Sequence, residues 1–342
     1  MRILQILPGF EEGGVERHVL WLSNELARRG HEITVLSSGG KLEASLKNVE
    51  HWVLPVQRKN LFTGIYCAIR IALRAKKENW QIFHSHSRVP SWIAWWASLM
   101  TGIPWIVSCH AKYSHNIGLK PYNKANVAIC VSKSVKEHLS SFLPMRNYVI
   151  YNGLLPAPFL WEGQDNDASP ARLLFIGRLT EIKGIHDIVE ILPKLKGCWR
   201  MDILGDGPLL DHLKDRVARL DLEERVKFHG FRDDTDQWLK KCSCLLFPSY
   251  QEGMPLTLMR AIQMGVPIIA SDISAVRELT DSPETLVTPG NLVDWTRALE
   301  DFLQNAKVSE GFKKDRILSV LQMLEQIERE VYLPLLKERR ML

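Results

Sequence analysis

The chain has 342 residues, of which 46% are hydrophobic and 24% are charged, with a formal net charge of +5. These values predict an ordinary globular protein of about two domains, long enough to bury sizeable cores without disulfides. The six cysteines lack the spacing of a disulfide framework. This excludes a small disulfide scaffold and favours a reducing, cytoplasmic location.

The charge is unevenly placed along the chain. Residues 1–155 carry 19 Lys and Arg against 9 Asp and Glu, whereas the remainder carries 25 against 30. A basic half beside an acidic half indicates an anionic partner for the first one. Because the sequence has no recognition-helix, zinc-finger or aromatic RNA-binding signature, we expect no nucleic acid. An anionic membrane surface or a phospholipid-linked substrate is favoured instead.

Two apolar stretches bear on secretion and membrane insertion. The apolar start is interrupted by Pro8-Gly9, too early for a signal peptide. Residues 89–109 carry no charged side chain, and these 21 positions are enough to span a bilayer. However, Gly102 and Pro104 divide the stretch into a part with helical spacing and a part typical of a buried strand. We therefore expect a helix and a strand of a globular domain there.

Short β-branched runs alternate with amphipathic helical runs in the first half, which predicts a parallel sheet with helices on both faces. The predicted strands are 2–7, 32–37, 80–84, 104–109, 127–131 and 148–151, and the predicted helices are 15–29, 63–78, 91–100 and 133–142. Residues 156–171 are rich in Pro, Gly and Asp, so they are interpreted as a linker that ends a first domain at residue 155.

The alternation restarts after the linker in a second domain at 172–310. Its predicted strands are 172–176, 200–204, 226–229, 244–248, 267–271 and 285–287. Two doubly wound, Rossmann-like α/β domains joined once are expected to face each other, with ligands in an interdomain cleft at the carboxyl ends of the strands. The tail 311–342 is predicted to be a helical run that packs back on the N-terminal domain.

A glycine-bounded turn with two cations follows the first strand of the second half. Gly177-Arg178 and Lys183-Gly184 stand between strand 172–176 and a helix. Two cations at this spacing can clamp a diphosphate, and a helix N-terminus adds N–H donors. A strand–helix turn with solvated charges fits the same residues. The Walker pattern is absent.

Two further turns in the second half carry polar residues. Glu252-Gly253 stands where strand 244–248 has ended and a helix begins, so its carboxylate can accept sugar hydroxyls and its backbone can face anionic oxygens. An acidic first helical turn is the alternative. Gly205-Asp206-Gly207-Pro208 is explained by a tight turn and a helix start alone.

In the first half, Gly13-Gly14 separates a strand from a helix, so the backbone there can approach a ligand closely. The pattern is not the dinucleotide fingerprint, which argues against a nicotinamide cofactor. His84, His86 and His110 each follow a predicted strand. Hydrogen-bonded loop histidines, groups pointing into the cleft and metal ligands all remain open for them. Cys242 and Cys244 lack the partners of a zinc site and are interpreted as strand residues.

Together these motifs resemble retaining glycosyltransferase family 4, a two-domain class of GT-B fold that includes many lipopolysaccharide and capsule sugar transferases. The resemblance covers nearly the whole chain and rests on Gly13-Gly14-Val-Glu16-Arg17, Val107-Ser-Cys-His110, Ala128-Ile-Cys-Val-Ser132, Tyr151-Asn152-Gly153, Gly177-Arg178 with Lys183-Gly184, and Glu252-Gly253. It implies transfer of a sugar from a nucleotide diphosphate donor to a glycan or lipid-linked acceptor, with retention at the anomeric carbon. It also implies no cofactor and no metal.

The resemblance assigns roles to single residues. Arg178 and Lys183 would stabilise the charge that develops on the diphosphate, His110 would lie near the sugar, and Glu252 would hold sugar hydroxyls. The implied catalytic residues are His110, Arg178, Lys183 and Glu252, and the implied donor-binding residues are Gly14, Gly177, Gly230, Gly253, Met254, Pro255 and Arg260.

Arg260 departs from the family's pattern. The family places a second Glu eight residues after the first, where it binds the nucleotide ribose. A cation cannot accept hydrogen bonds from hydroxyls. Either the ribose is held otherwise, or Arg260 serves an extra anionic group, or donor binding is weakened. A non-catalytic partner of another transferase, and a sugar-nucleotide epimerase on the same fold, stay open as alternatives.

The predicted helix 63–78 indicates which partner the basic first half could bind. Basic and apolar side chains recur on it at helical spacing: Arg70, Arg74 and Lys77, and Ile65, Ile69 and Leu73. Such helices rest on anionic lipid. We expect peripheral docking on the inner face of the cytoplasmic membrane, toward a lipid-linked acceptor. A solvated face on a core-packed helix is the alternative.

Overall fold

The computed structural model describes residues 1–162 and 170–341, so residues 163–169 of the predicted linker lie outside the described residues. The chain divides into two compact units. The first comprises Met1–Leu155 and Leu318–Leu342, and the second comprises Pro156–Ile317. Each unit has its own parallel sheet.

The first unit is built on a seven-stranded parallel sheet. Its elements are β1 (Arg2–Ile6), α1 (Gly14–Arg28), β2 (Glu32–Ser37), β3 (Glu50–Val53), α2 (Leu61–Glu78), β4 (Ile82–His86), α3 (Arg88–Thr101), β5 (Trp105–Cys109), β6 (Val127–Cys130), α4 (Lys133–Leu139), β7 (Asn147–Val149) and β8 (Gly153–Leu154). The strand order is β3-β2-β1-β4-β5-β6-β7. Four of the central strands are apolar and almost entirely buried, because helices cover both faces of such a sheet.

The second unit contains a five-stranded parallel sheet of order β11-β10-β9-β12-β13. Its elements are β9 (Ala171–Ile176), α5 (Ile185–Ile191), β10 (Trp199–Leu204), α6 (Leu210–Arg219), β11 (Val226–Gly230), α7 (Thr235–Lys241), β12 (Cys244–Phe247), α8 (Leu256–Met264), β13 (Ile268–Ala270), α9 (Ser274–Arg277) and α10 (Leu292–Asn305). The order reverses at β9, so the loops after β9 and β12 leave the same edge from neighbouring strands, where open α/β sheets bind ligands.

The C-terminal segment returns to the first unit. It contains β14 (Leu318–Ser319), α11 (Val320–Ile327), a π-helical turn (Glu328–Tyr332) and α12 (Leu333–Met341). Strand β14 pairs with β8, and a capping box between Ser319 and Gln322 starts α11. Glu328 accepts hydrogen bonds from Arg29 and His31 at 2.8 Å each. The apolar face of α11 joins the core formed by β1, β4 and α1.

The α/β class with parallel sheets is confirmed, but three predicted elements need correction. The strand predicted at 80–84 is β4 (Ile82–His86), because Trp80 packs outside the strand, against Trp52 and Phe83. The strand predicted at 285–287 is a 3-10 turn (Pro283–Thr285), and Val287 makes only an isolated bridge to Ser271. The helical part of the tail begins at Val320, since β14 and a 3-10 turn precede it.

The uncharged stretch 89–109 separates into α3 and β5, as its Gly102 and Pro104 predicted. Gly102 ends α3 in the left-handed conformation with a φ of 67°. Within residues 1–162 and 170–341, the structure contains no helix that is long and apolar enough to cross a membrane.

Candidate functional site

Three glycine turns interlock at the carboxyl edge of the second sheet. The Gly177 N–H donates to Leu204 O at 3.0 Å, the Leu179 N–H donates to Asp206 O at 2.9 Å, and the Gly205 N–H donates to Gly230 O at 2.7 Å. Gly205 has a φ of +135°, and a Cβ there would lie 1.9 Å from Gly177 O. The close approach of these two backbones therefore requires glycine, and it fixes the loop that carries Arg178.

Lys183 and Glu252 meet at this edge, although 68 residues separate them in the sequence. Lys183 Nζ donates to Glu252 Oε1 at 2.5 Å, and Ser249 Oγ donates to the same oxygen at 2.9 Å. The two charged side chains are 27% and 12% exposed, so both are half-buried but reachable from solvent. The left-handed Gly184 allows the pairing, because a Cβ there would lie 2.1 Å from Pro248 O.

Arg178 is exposed on the loop after β9, and it forms no ion pair with any described residue. The same loop places the Lys183 side chain against Gly177, where an added Cβ would lie 4.0 Å from Lys183 Cδ. The turn therefore presents one cation in solvent and one held by a carboxylate. Such a pair can bind an oxyanion through charge-assisted hydrogen bonds.

Tyr250 ties the loop after β12 to the loop after β9. The Tyr250 N–H donates to Ile182 O at 2.9 Å, and the Tyr250 hydroxyl donates to Asp187 Oδ2 at 2.5 Å. Burial, with the hydrogen bond and charge of Asp187, raises the pKa of Tyr250 to about 12, so its proton is retained. No role was predicted for Tyr250 from the sequence. Its place between Ser249 and Glu252 was the only available signal.

The residues after Glu252 enter a helix without a side-chain cap. Gly253, Met254 and Pro255 are buried, and α8 begins at Leu256 with no capping side-chain hydrogen bond at Pro255. Backbone N–H groups in a first helical turn need acceptors from elsewhere. The loop after β12 therefore offers a carboxylate and helix-start donors within a few residues.

Arg260 lies on α8 and is directed at a neighbouring helix. Its Nε lies 3.3 Å from Asp236 Oδ1 on α7, and its Nη1 donates to Gln263 Oε1 at 2.6 Å. The side chain is only 14% exposed. The anionic group that Arg260 was expected to serve is therefore present in the chain itself, as the carboxylate of Asp236.

The first unit buries a cluster of histidines next to the carboxyl ends of β4 and β5. His84 and His86 lie within β4 and do not follow a strand as predicted, because β4 ends two residues later than expected. His86 Nδ1 is 2.9 Å from His110 Nε2, and the ring of His18, on α1, is centred 4.9 Å from that of His110. His18 was missed by the sequence analysis, and Gly14 starts the same helix.

Desolvation dominates the protonation of these histidines. Burial lowers the pKa of His18 to about 4 and that of His84 to about 3, and it lowers the pKa values of His86 and His110 well below the usual range. Neighbouring imidazoles depress the last three further. All four rings are therefore neutral at pH 7.

His18, His86 and His110 each bring a ring nitrogen within 4.8 Å of the others, a spacing that suits a metal ion. However, both nitrogens of His86 already take part in hydrogen bonds, to His110 at 2.9 Å and to Gln5 at 2.8 Å. A metal ion would have to break one of them. Hydrogen bonding accounts for His86 and His110 without one.

Two family models match the chain. One, described as Glycosyltransferase Family 4, matches residues 12–156, and the other, described as Glycosyl transferases group 1, matches residues 170–305. An uncharacterized glycosyltransferase of Methanocaldococcus jannaschii is 25% identical over 78% of this chain and 78% of its own length. The lipopolysaccharide 1,6-galactosyltransferase of Salmonella typhimurium is 26% identical, over 53% of this chain and 51% of its own length.

Solved structures share the fold. HepE of Anabaena, in complex with UDP-glucose, superposes with a TM-score of 0.83 at 18% identity, over 97% of this chain and 99% of that one. A glycosyltransferase from Rickettsia africae superposes with a TM-score of 0.82 at 23% identity, over 98% of both chains. These likenesses extend through both units.

Proposed function

The chain belongs to the glycosyltransferases that combine a family 4 domain with a group 1 domain, and we propose that it transfers a sugar from a nucleotide diphosphate donor with retention at the anomeric carbon. The observation that carries this proposal is the Lys183–Glu252 pair at the carboxyl edge of the second sheet. One partner suits a phosphate oxygen and the other suits a sugar hydroxyl.

The diphosphate end of the donor is assigned to the loop after β9. Arg178 and Lys183 neutralise the charge that develops as the diphosphate leaves, and Gly177 and Gly230 let the ligand approach the backbone. These two cations would supply the charge stabilisation that a divalent metal supplies elsewhere, so the proposed reaction needs no metal. Transfer rates that are equal with and without a chelator support this assignment, and loss of transfer on chelation contradicts it.

The sugar end is assigned to Glu252 and to His110. Both observed hydrogen bonds of the Glu252 carboxylate fall on Oε1, and Oε2 accepts from a donor hydroxyl. The N–H groups of Gly253 and Met254, before Pro255, add donors at the start of α8. In the first unit, we assign the neutral ring of His110 to the sugar and the backbone of Gly14 to the donor phosphates.

Retention follows from attack on the face that the diphosphate leaves. The bond between the anomeric carbon and the diphosphate oxygen breaks as the acceptor oxygen bonds to the same carbon. The acceptor proton passes to the departing phosphate oxygen. Arg178 and Lys183 act at the stage where that oxygen carries the most charge, which is where preorganised charge lowers the barrier.

The ribose end differs from the family's pattern, because Arg260 is engaged with Asp236. We assign Arg260 to the packing of α8 on α7, close to the donor site without hydroxyl contacts. The ribose is then bound by other groups. This leaves the base and the sugar to be identified by experiment.

The acceptor is assigned to cell-surface polysaccharide synthesis of the lipopolysaccharide or capsule type. The similarity to the lipopolysaccharide 1,6-galactosyltransferase of Salmonella typhimurium supports this class. The acceptor is a glycan or a lipid-linked sugar, and helix α2 supplies a surface for the second.

Helix α2 has two apolar faces. Small residues pack inward, among them Gly64, Ala68 and Ala75. Large apolar side chains point outward, namely Leu61, Phe62, Ile65, Tyr66, Ile69 and Leu73, with Phe62 80% and Leu73 69% exposed. An outward apolar face with Arg70 and Lys77 nearby is typical of helices that lie in a membrane surface. We assign this face to anionic lipid on the inner face of the cytoplasmic membrane.

Arg74 does not belong to that lipid-facing set. It forms ion pairs with Glu50 and Glu78 and lies over the Trp52 ring.

Sedimentation with vesicles of anionic or of neutral lipid tests the docking of α2 on a membrane surface. The protein is expected to partition onto anionic vesicles, and the Phe62→Glu, Leu73→Glu pair is expected to abolish this. Met145→Glu, a fully exposed apolar residue outside α2, is the control. Equal partitioning onto both lipids would reject the assignment.

Hydrolysis of UDP-, GDP- and ADP-sugars by the purified chain tests the function itself. We expect slow hydrolysis of one donor and faster turnover when an acceptor is added, with the anomeric configuration retained. Binding of no nucleoside diphosphate in calorimetry would favour a non-catalytic partner of another transferase. Release of an epimerised sugar nucleotide would favour an epimerase.

A further inference from the structure

A continuous run of buried polar groups starts at His110 in the first unit. His86 lies 2.9 Å from His110 and 2.8 Å from Gln5, and Gln5 lies 3.3 Å from the Tyr332 hydroxyl. That hydroxyl lies 2.7 Å from His84 Nδ1, and His84 Nε2 lies 2.8 Å from Ser108 Oγ. The five side chains of Gln5, His84, His86, Ser108 and Tyr332 are at most 1% exposed, so solvent does not compete for these bonds.

The amide of Gln5 gives the run a direction. Its Nε2 donates to the Tyr332 hydroxyl, so its Oε1 faces His86 and accepts from His86 Nε2–H. A neutral imidazole carries one proton, so His86 Nδ1 is an acceptor. His110 must therefore donate from Nε2 to that nitrogen.

Tyr332 stabilises this direction from the other side. Its oxygen accepts from Gln5, so its own proton goes to His84 Nδ1, and His84 Nε2–H donates to Ser108. Burial raises the pKa of Tyr332, which keeps that proton in place. Each hydrogen bond of the run then joins one donor to one acceptor.

The C-terminal segment delivers Tyr332 through its π-helical turn, Glu328–Tyr332. A π turn adds a residue to the helical register and re-aims the side chains that follow. Glu328, at the other end of the turn, is anchored by Arg29 and His31. The hydrogen bonds of Glu328 to Arg29 and His31 therefore anchor the start of the turn that ends at Tyr332.

We propose that Tyr332 is a positioning residue which, through Gln5 and His86, holds His110 as the Nε2–H tautomer and leaves Nδ1 as its hydrogen-bond acceptor. Resting on the function proposed above, this makes His110 an acceptor for a hydroxyl of the donor sugar. It excludes His110 as the donor of a proton to the leaving group. Tyr332 itself touches no substrate.

Long-range ¹H–¹⁵N correlation spectra of the full-length, ligand-free protein test the tautomer without any substrate. The two His110 nitrogens are assigned by comparison with the His110→Asn variant. We expect a protonated Nε2 and an unprotonated Nδ1 at pH 7. A protonated Nδ1 would overturn the proposal even if the protein proves to be an active glycosyltransferase.

Tyr332→Phe keeps the ring and removes the hydroxyl. It is expected to populate the Nδ1–H tautomer of His110 and to lower kcat about tenfold, with the donor KM within about twofold. Tyr122→Phe is the matched control, since Tyr122 is also fully buried in the first unit and takes no part in the run. An unchanged His110 tautomer in folded Tyr332→Phe would reject the role of Tyr332. If that variant does not fold, the wild-type spectrum decides.

Discussion

The two units place different kinds of polar group at the carboxyl edge of a parallel sheet. In the second unit the groups are charged and reachable, with Lys183 27% exposed and Arg178 in solvent. In the first unit they are neutral histidines, and His84 and His86 are fully buried. A diphosphate needs cations that can exchange their partners, whereas sugar hydroxyls need neutral groups of fixed orientation. Under the proposed function, the edge of the second unit would bind the charged diphosphate, and that of the first unit would orient neutral hydroxyls.

Removing the cations Arg178 and Lys183 is expected to give the largest loss of transfer activity. Arg178→Ala and Lys183→Ala are each expected to lower kcat about 100- to 1,000-fold, because each removes preorganised charge from the leaving diphosphate. Lys196→Ala serves as the control, since Lys196 is exposed at the amino end of β10. Transfer assays with the donor found by screening measure the effect. Retained turnover in the two loop variants would reject the diphosphate assignment.

Glu252→Gln should separate the two ends of the donor. The amide keeps the size of the side chain but removes the charge that pairs with Lys183. We expect transfer to fall about 10- to 100-fold, while the free nucleoside diphosphate binds as tightly as before or more tightly. Glu284→Gln, on an exposed turn of the same unit, is the control. Weaker binding of the diphosphate alone would contradict the separation.

The buried histidines of the first unit are expected to make the free energy of unfolding depend on pH. Histidines with lowered pKa values bind fewer protons folded than unfolded, so stability is full above pH 6.5 and is lost as the pH falls. Each such group contributes a slope of about 1.4 kcal/mol per pH unit between its two pKa values. Urea unfolding at pH 7.5, 6 and 5 measures the slope. A stability that stays flat over this range would contradict neutral burial.

One carboxylate acts against the histidines in that window, because burial raises the pKa of Glu16 and protonation of Glu16 then favours the folded state as the pH falls. The pKa values of Glu25 and Glu190 are lowered by their arginine partners, so their contribution is lost only below the ordinary carboxyl range. A loss of stability between pH 6.5 and pH 5 therefore reports on the histidines, against the opposing effect of Glu16.

Arg260 should give the smallest effect. Its ion pair with Asp236 is only partly exposed, so Arg260→Gln is expected to cost about 1 kcal/mol of stability with little change in donor affinity. Urea unfolding of the two single variants and of the double variant with Asp236→Asn measures the coupling. Additive losses would contradict the coupling of Arg260 to Asp236, and a large loss of donor affinity would place Arg260 in the donor site.

The fold class and the family were predictable from the sequence, because hydrophobic runs and glycine turns are local signals. The alternation of strands and helices predicted both sheets, and the ordered motifs predicted a glycosyltransferase. The sequence predicted that Lys183 and Glu252 lie at the same edge of the sheet, but it did not predict that the two side chains pair. Strand order, which no local pattern encodes, decides that β9 and β12 are neighbours.

Other features depend on contacts between distant residues. The bounds predicted for strand β4 were two residues too early at both ends. Trp80 has strand propensity although it packs outside the strand, and Ser85 and His86 are residue types that favour a loop. Tyr332 could not be recognised, since a π turn leaves no clear mark on helical periodicity. The outward apolar face of α2 was visible as apolar spacing, but only the packing of its small residues decides which face is buried.

Calorimetric titration of the full chain with UDP, GDP and ADP tests the central claim, that the loop after β9 binds the donor diphosphate. We expect one of the three to bind, and the Arg178→Ala, Lys183→Ala pair to weaken that binding at least about 100-fold, because two charge-assisted contacts are lost. The Lys196→Ala variant should bind as the wild type does. Equal affinity in the wild type and the paired variant would contradict the account.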